Sequence, residues 1–204
     1  MPVNYNVQAQ VIDIQNDSPG PTDSFLVDSN VWFWITYPKG GGYTPSRTRL
    51  YVNFVSKSLR ARAKLHCCEL SLAELAHIIE RAERDIYNTA NGANLGSKEF
   101  RHNYPAERGT VVAEIGRAWQ QVTTMASSLS ATVDASTVAA ALVAFQTQRV
   151  DGYDLFVLQA AAMRKIVQVL TDDGDYCTVP GLQVFTANSN AIQAASAQGK
   201  LLVR

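Results

Sequence analysis

Apolar residues recur along the chain with two periods. Residues 25–27, 64–70, 166–170 and 179–186 form short apolar runs of strand length, each bounded by polar or turn-forming residues. Residues 45–63, 71–90, 105–129, 155–164 and 190–198 read as helices. In the second of these Leu72, Leu75, Ile78, Ile79 and Ala82 share one face, and Asn91-Gly92 supplies a stop. Strands alternating with helices predict an α/β protein with a mostly parallel sheet covered on both faces. Residues 3–14 alternate only partially and predict an extended arm or edge strand, closed off by Asp17-Ser18-Pro19-Gly20-Pro21. The expected division is therefore an arm over residues 1–22 and a single domain over 23–204. Residues 91–104 read as a polar loop or insertion. Gly40-Gly41-Gly42 reads as a flexible loop, Thr132 and Val133 as a brief strand, and Ser136 as the cap of a helix through Val138, Leu142 and Phe145.

Composition narrows the class. A chain of 204 residues with 47% hydrophobic and 18% charged residues is long enough to bury roughly 70% of its unfolded surface. No apolar run reaches bilayer length, and the first ten residues lack the basic start and apolar core of a signal peptide, so a cytoplasmic protein is expected. Three cysteines, two of them adjacent as Cys67-Cys68, do not suggest a disulfide framework. Formal charge is zero, but its distribution is uneven: no acid lies between Asp28 and Glu69, whereas Lys39, Arg47, Arg49, Lys57, Arg60, Arg62 and Lys64 all do. That run reads either as a solvated helix face or as a contact surface for phosphates.

The chemistry gathers on acids at element ends. Asp28 follows the strand at 25–27, Asp173 follows the strand at 166–170, and Glu74 and Asp154 stand at the starts of helices. In a parallel sheet the carboxyl ends of strands frame one crevice, so these four are expected to converge. Each also has a local explanation. Asp28 could cap the next helix, Asp154 sits where a helix dipole favours an anion, and Ser71 with Glu74 forms a capping-box pattern. Four converging carboxylates repel one another unless a hard divalent cation neutralises them. Oxygen ligands suit magnesium or manganese, and His66, His77 and His102 lack zinc-type spacing.

These segments carry a resemblance. Phe25-Leu26-Val27-Asp28-Ser29-Asn30, Ser71-Leu72-Ala73-Glu74-Leu75, Asp154-Leu155-Phe156-Val157-Leu158-Gln159-Ala160-Ala161 and Leu170-Thr171-Asp172-Asp173-Gly174-Asp175-Tyr176 resemble, in order, the four acidic motifs of the PIN-domain nucleases, which include VapC-type toxins. The resemblance implies a three-layer α/β/α fold with helical insertions and a Mg2+- or Mn2+-dependent endoribonuclease, with RNA as substrate or alternatively DNA. It makes Asp28, Glu74, Asp154 and Asp173 the catalytic metal ligands, with Asp175 as a further ligand and Asn30 and Thr171 as supporting polar groups. Asp151 and Asp172 are expected to stand outside that set. Arg47, Arg49, Lys57, Arg60, Arg62 and Lys64 would hold the nucleic acid, with Tyr43 or a tryptophan available for stacking, while Trp32 and Trp34 are expected in the core. A toxin with an antitoxin partner, or a defence protein, and a homodimer are further implications. The chain exceeds a minimal domain of this family in residues 38–64 and 87–130.

Two rival readings stand beside it. Phosphohydrolases with an aspartate nucleophile also place an acid after a buried strand, but they need a second acid two residues on, where this chain has Asn30. A PIN-like fold with a silent site would serve as a scaffold or binding module in a larger assembly.

Overall fold

The computed structural model describes residues 3–39 and 45–204; Tyr43 and the Gly40-Gly41-Gly42 loop lie outside them. Among the described residues are seven strands: β1 (Gln10–Asp13), β2 (Ser24–Val27), β3 (Lys64–Cys68), β4 (Ser127–Leu129), β5 (Gln168–Leu170), β6 (Gln183–Thr186) and β7 (Leu201–Leu202). All pair in parallel, in the order β4-β3-β2-β5-β6-β1-β7. Around them lie eight α-helices: α1 (Ser29–Thr36), α2 (Pro45–Arg60), α3 (Ser71–Asn91), α4 (Ser97–Asn103), α5 (Pro105–Met125), α6 (Ala135–Ala144), α7 (Gly152–Met163) and α8 (Ser189–Ala197). A short 3-10 helix spans Gly174–Thr178. This is the expected α/β class, with three layers and a sheet that is wholly parallel.

Side-chain alternation builds the layers. On β2, Phe25 and Val27 enter a core with residues of α1, α2, α3 and α5, whereas Leu26 points to the opposite core with residues of α6, α7 and α8. Phe25 packs edge-on against Phe185 at 4.8 Å and Phe54 at 5.6 Å between ring centroids, which ties the sheet centre to α2. After β2 the chain winds outward through β3 and β4, then returns across β2 to form β5 and β6. The strand order therefore reverses between β2 and β5, and a crevice opens there at the carboxyl ends.

Several local expectations change. The N-terminal segment is a strand but not an edge: β1 lies between β6 and β7, and the two-residue β7 covers its outer side. Residues 97–103, read as loop, form α4, anchored by buried Phe100 against Tyr87 and Tyr104. The strand near Thr132 is replaced by β4, five residues earlier and paired with β3. Ser136 does not cap α6; Asp134 does, in a reciprocal box with Thr137. Gly92, at φ 60°, ends α3 in the left-handed conformation expected of such a stop. The three cysteines are buried and free. No helix among the described residues is long and apolar enough to cross a membrane.

Candidate functional site

Asp28 is fixed by the sheet before its side chain does anything. Its amide donates to the Leu170 carbonyl at 3.0 Å, continuing the β2–β5 ladder one residue past the strand. Its carboxylate caps α1, accepting from the Ser29 amide at 2.6 Å, and also accepts from the Thr171 hydroxyl at 2.6 Å. Both readings of Asp28 thus hold at once: it caps a helix and stands in the crevice. Burial, reinforced by Glu74 and Asp173, pushes its carboxyl up to about 7 against these two hydrogen bonds.

Glu74 does not close a capping box. Leu70 occupies the cap position of α3 with no side-chain hydrogen bond, and Glu74 instead accepts from the Ser29 hydroxyl at 2.5 Å. The glutamate leans across to α1, and burial raises its pKa. Asp154, in the first turn of α7, is buried and accepts from the Tyr176 hydroxyl at 2.5 Å. Burial and the nearby Asp28 push it up to about 8. Asp173 caps the 3-10 helix through the Asp175 amide, and its own amide donates to the Thr171 hydroxyl at 2.9 Å. Thr171 therefore bonds to both strand-end acids, to the Asp28 carboxylate and to the Asp173 amide.

The four expected acids share one crevice of about 360 Å3, which Ser29, Asn30, His77, Ile78, Arg81, Asp151 and Tyr153 also line. Asp151, expected to stand outside the ligand set, also lines the crevice. Carboxylate oxygens of Glu74, Asp151 and Asp154 all lie within 4.8 Å of one another. Asp151 caps α7 with one oxygen, on the Tyr153 and Asp154 amides, and this cap turns it toward Asp154. Asp172 does stand outside. It accepts from Tyr51 at 2.7 Å and sits 2.7 Å from Arg47 Nε, which ties the crevice rim to α2. Asp175 does not line the crevice, although Asp173 and Asp151 contribute to raising its carboxyl after burial. Asn30 lines it without touching a carboxylate; its Oδ1 accepts from the Asp172 amide at 3.5 Å.

None of the five lining carboxylates makes a salt bridge among the described residues. Their donor set, all carboxylate oxygen, with Asp154 buried, Glu74 half-buried and Asp151 exposed, fits a hard divalent cation. The expected basic surface is mostly elsewhere. Arg47 is engaged by Asp172, and α2 then runs from the crevice end to the opposite end of the sheet, about 20 Å over thirteen residues at ~1.5 Å each. Lys57, Arg60 and Arg62 follow at that far end, and Lys64 opens β3 beside Ser24. Arg49 is exposed on α2 and does not line the crevice. The lining cation is Arg81, which the sequence did not single out. Ser29 and Tyr176, the hydroxyls that hold Glu74 and Asp154, were also missed. Ser29 lies inside the first acidic motif, whereas nothing local marks Tyr176.

No family model matches the chain, and no curated protein matches it in sequence.

Proposed function

We propose that the protein is a metal-dependent nuclease of the PIN type that hydrolyses RNA phosphodiester bonds. One observation carries the reading: five carboxylates meet, without an ion-pair partner among the described residues, at the point where the strand order reverses. Two of them are pushed up to about 7 and 8 by burial and mutual repulsion, a state that a divalent cation relieves. Glu74, Asp151 and Asp154 would hold such an ion, with Asp28 and Asp173 completing the acidic lining. When bound, the ion supplies activation of water and charge neutralisation at phosphorus. The protein's own part is orientation. Thr171 and the Ser29 amide fix Asp28, the Ser29 hydroxyl fixes Glu74, and Tyr176 fixes Asp154 while keeping its own proton.

The test is cleavage of a labelled RNA pool by the protein and its Asp28→Asn variant in EDTA, Mg2+ or Mn2+. Metal-dependent cutting that disappears in a folded variant is the expected result. Absence of both cutting and metal binding would replace the nuclease reading with that of a scaffold.

A further inference from the structure

The crevice does not end at Asp28. Asn30, Ile78 and Arg81 also line a second groove of about 310 Å3, completed by Phe33, Trp34, Ala82 and Asp85. Its two walls are single helix faces. Asn30, Phe33 and Trp34 stand at i, i+3 and i+4 on α1, and Ile78, Arg81, Ala82 and Asp85 at i, i+3, i+4 and i+7 on α3. Each chamber falls at the lower end of the ~300–1,000 Å3 typical of ligand sites.

The two ends of the groove differ in chemistry. Trp34, expected in the core, is only half-buried. Its ring packs against Tyr51 at 5.2 Å between centroids, tilted by 44°, and Trp34 also lines the groove. Phe33 is buried and stacked on Tyr37, which stiffens the floor. Arg81 is exposed and makes no hydrogen bond or ion pair among the described residues. Three acids of α3 are taken by other cations: Glu80 by Arg101 and Arg108, Glu83 by Lys39, and Asp85 by Arg84, while Glu74 lines the crevice with Arg81. An unpaired guanidinium on one wall and an aromatic ring on the other, in a groove that opens into a carboxylate crevice, are complementary to a nucleotide.

We infer that the groove between α1 and α3 is a nucleotide subsite continuing the crevice, where Arg81 holds a backbone phosphate and Trp34 stacks a base of a single-stranded substrate. This rests on the nuclease reading. The subsite would fix how the strand is threaded past the acids, and the contacts carry no hydrogen-bond readout of base identity, so it would accept any base.

The experiment measures binding of a short fluorescein-labelled oligouridylate to the Asp28→Asn protein in Mg2+ across a salt series, alongside cleavage by the protein with Asp28 intact. Adding Arg81→Ala should weaken binding and reduce the slope of log affinity against log salt by about 0.7, the loss of one single-strand phosphate contact. Adding Trp34→Leu should weaken binding roughly tenfold with the slope unchanged, and Trp34→Phe should restore most of it. Should Trp34→Leu fail to fold, the exposed Arg81→Ala decides the matter by its salt slope. Cleavage with unaltered KM in both Arg81→Ala and a folded Trp34→Leu, together with unaltered binding, would overturn the subsite and leave the nuclease reading standing. Neither binding nor cleavage by any form would overturn both.

Discussion

Asp151 and Asp172 look alike in sequence, each an acid beside a motif acid, yet they do opposite things. Asp151 caps α7 and turns a carboxylate oxygen into the crevice, whereas Asp172 turns away to Tyr51 and Arg47. Asp151→Asn should therefore weaken Mg2+ binding, on the order of tenfold or more by titration calorimetry, with little change in melting temperature. Asp172→Asn should leave Mg2+ affinity nearly unchanged and cost about 1–3 kcal/mol in denaturant unfolding, because it weakens a partly buried charge-assisted network. Tyr176 supplies a second contrast. Its hydroxyl serves buried Asp154, and Tyr176→Phe should cost about 1–2 kcal/mol and raise the Asp154 pKa still further, since the lost hydrogen bond favoured the ionised carboxylate. Asp28 and Thr171 were legible as a pair because each sits at a strand end in its own motif. The choice of Asp151 was not, because a cap and a ligand use the same residue type at the same place.

At the scale of elements, apolar period settled the long helices and the central strands. It failed where an element owes its existence to a neighbour. In α4, Phe100 is buried while the other six residues remain exposed or half-exposed, so no apolar face is written into the segment. β4 reads Ser-Ser-Leu and forms because β3 offers it a free edge; β7 does the same on β1. α2 shows that an element can be read correctly and its role misplaced. The helix forms where expected, but its direction carries Lys57 and Arg60 to the end of the sheet away from the acids. Paired Lys57→Ala and Arg60→Ala substitutions should leave RNA affinity within about twofold at moderate salt, where exposed charges beyond ~10 Å are largely screened. A large loss in a binding titration would move the substrate path onto α2.

Across the whole molecule, the acids make stability depend on pH and on metal. Asp28 and Asp154 are pushed up to about 7 and 8 in the fold, against ~3.9 in an unfolded chain. The folded state therefore holds more protons between those limits, so their contribution is fully present below about pH 4 and is lost as pH rises through 7 to 8. In EDTA the melting temperature should fall between pH 5 and about 8.5. Mg2+ binds the ionised carboxylates, so the stabilisation it gives should grow over the same range. A flat profile in both buffers would contradict this reading of the site. A second long-range tie joins the chain's two ends. Arg204 forms four hydrogen bonds of 2.8–3.0 Å to buried Asp17 and Asp23 and lies over the Phe185 ring. These hold Asp23 down at about 2, although burial pulls the other way. Arg204→Ala should cost about 2–3 kcal/mol in urea unfolding, below the ~3–5 of a fully buried pair because the guanidinium is partly exposed.

By itself the sequence determined the layers: short apolar runs and helical periods dictate which residues must leave water, and strands joined by helices must lie parallel. It also determined that acids stand at the ends of those elements. The tertiary structure alone decided which side chains share the crevice, that Arg81 and not the α2 cations lines it, and that β1 is enclosed by β7. Those facts depend on helix direction, strand order and rotamer, which are set by contacts between residues far apart in the chain, such as Val7 with Gln198, 191 positions away, and such contacts leave no periodic trace in either partner's own segment.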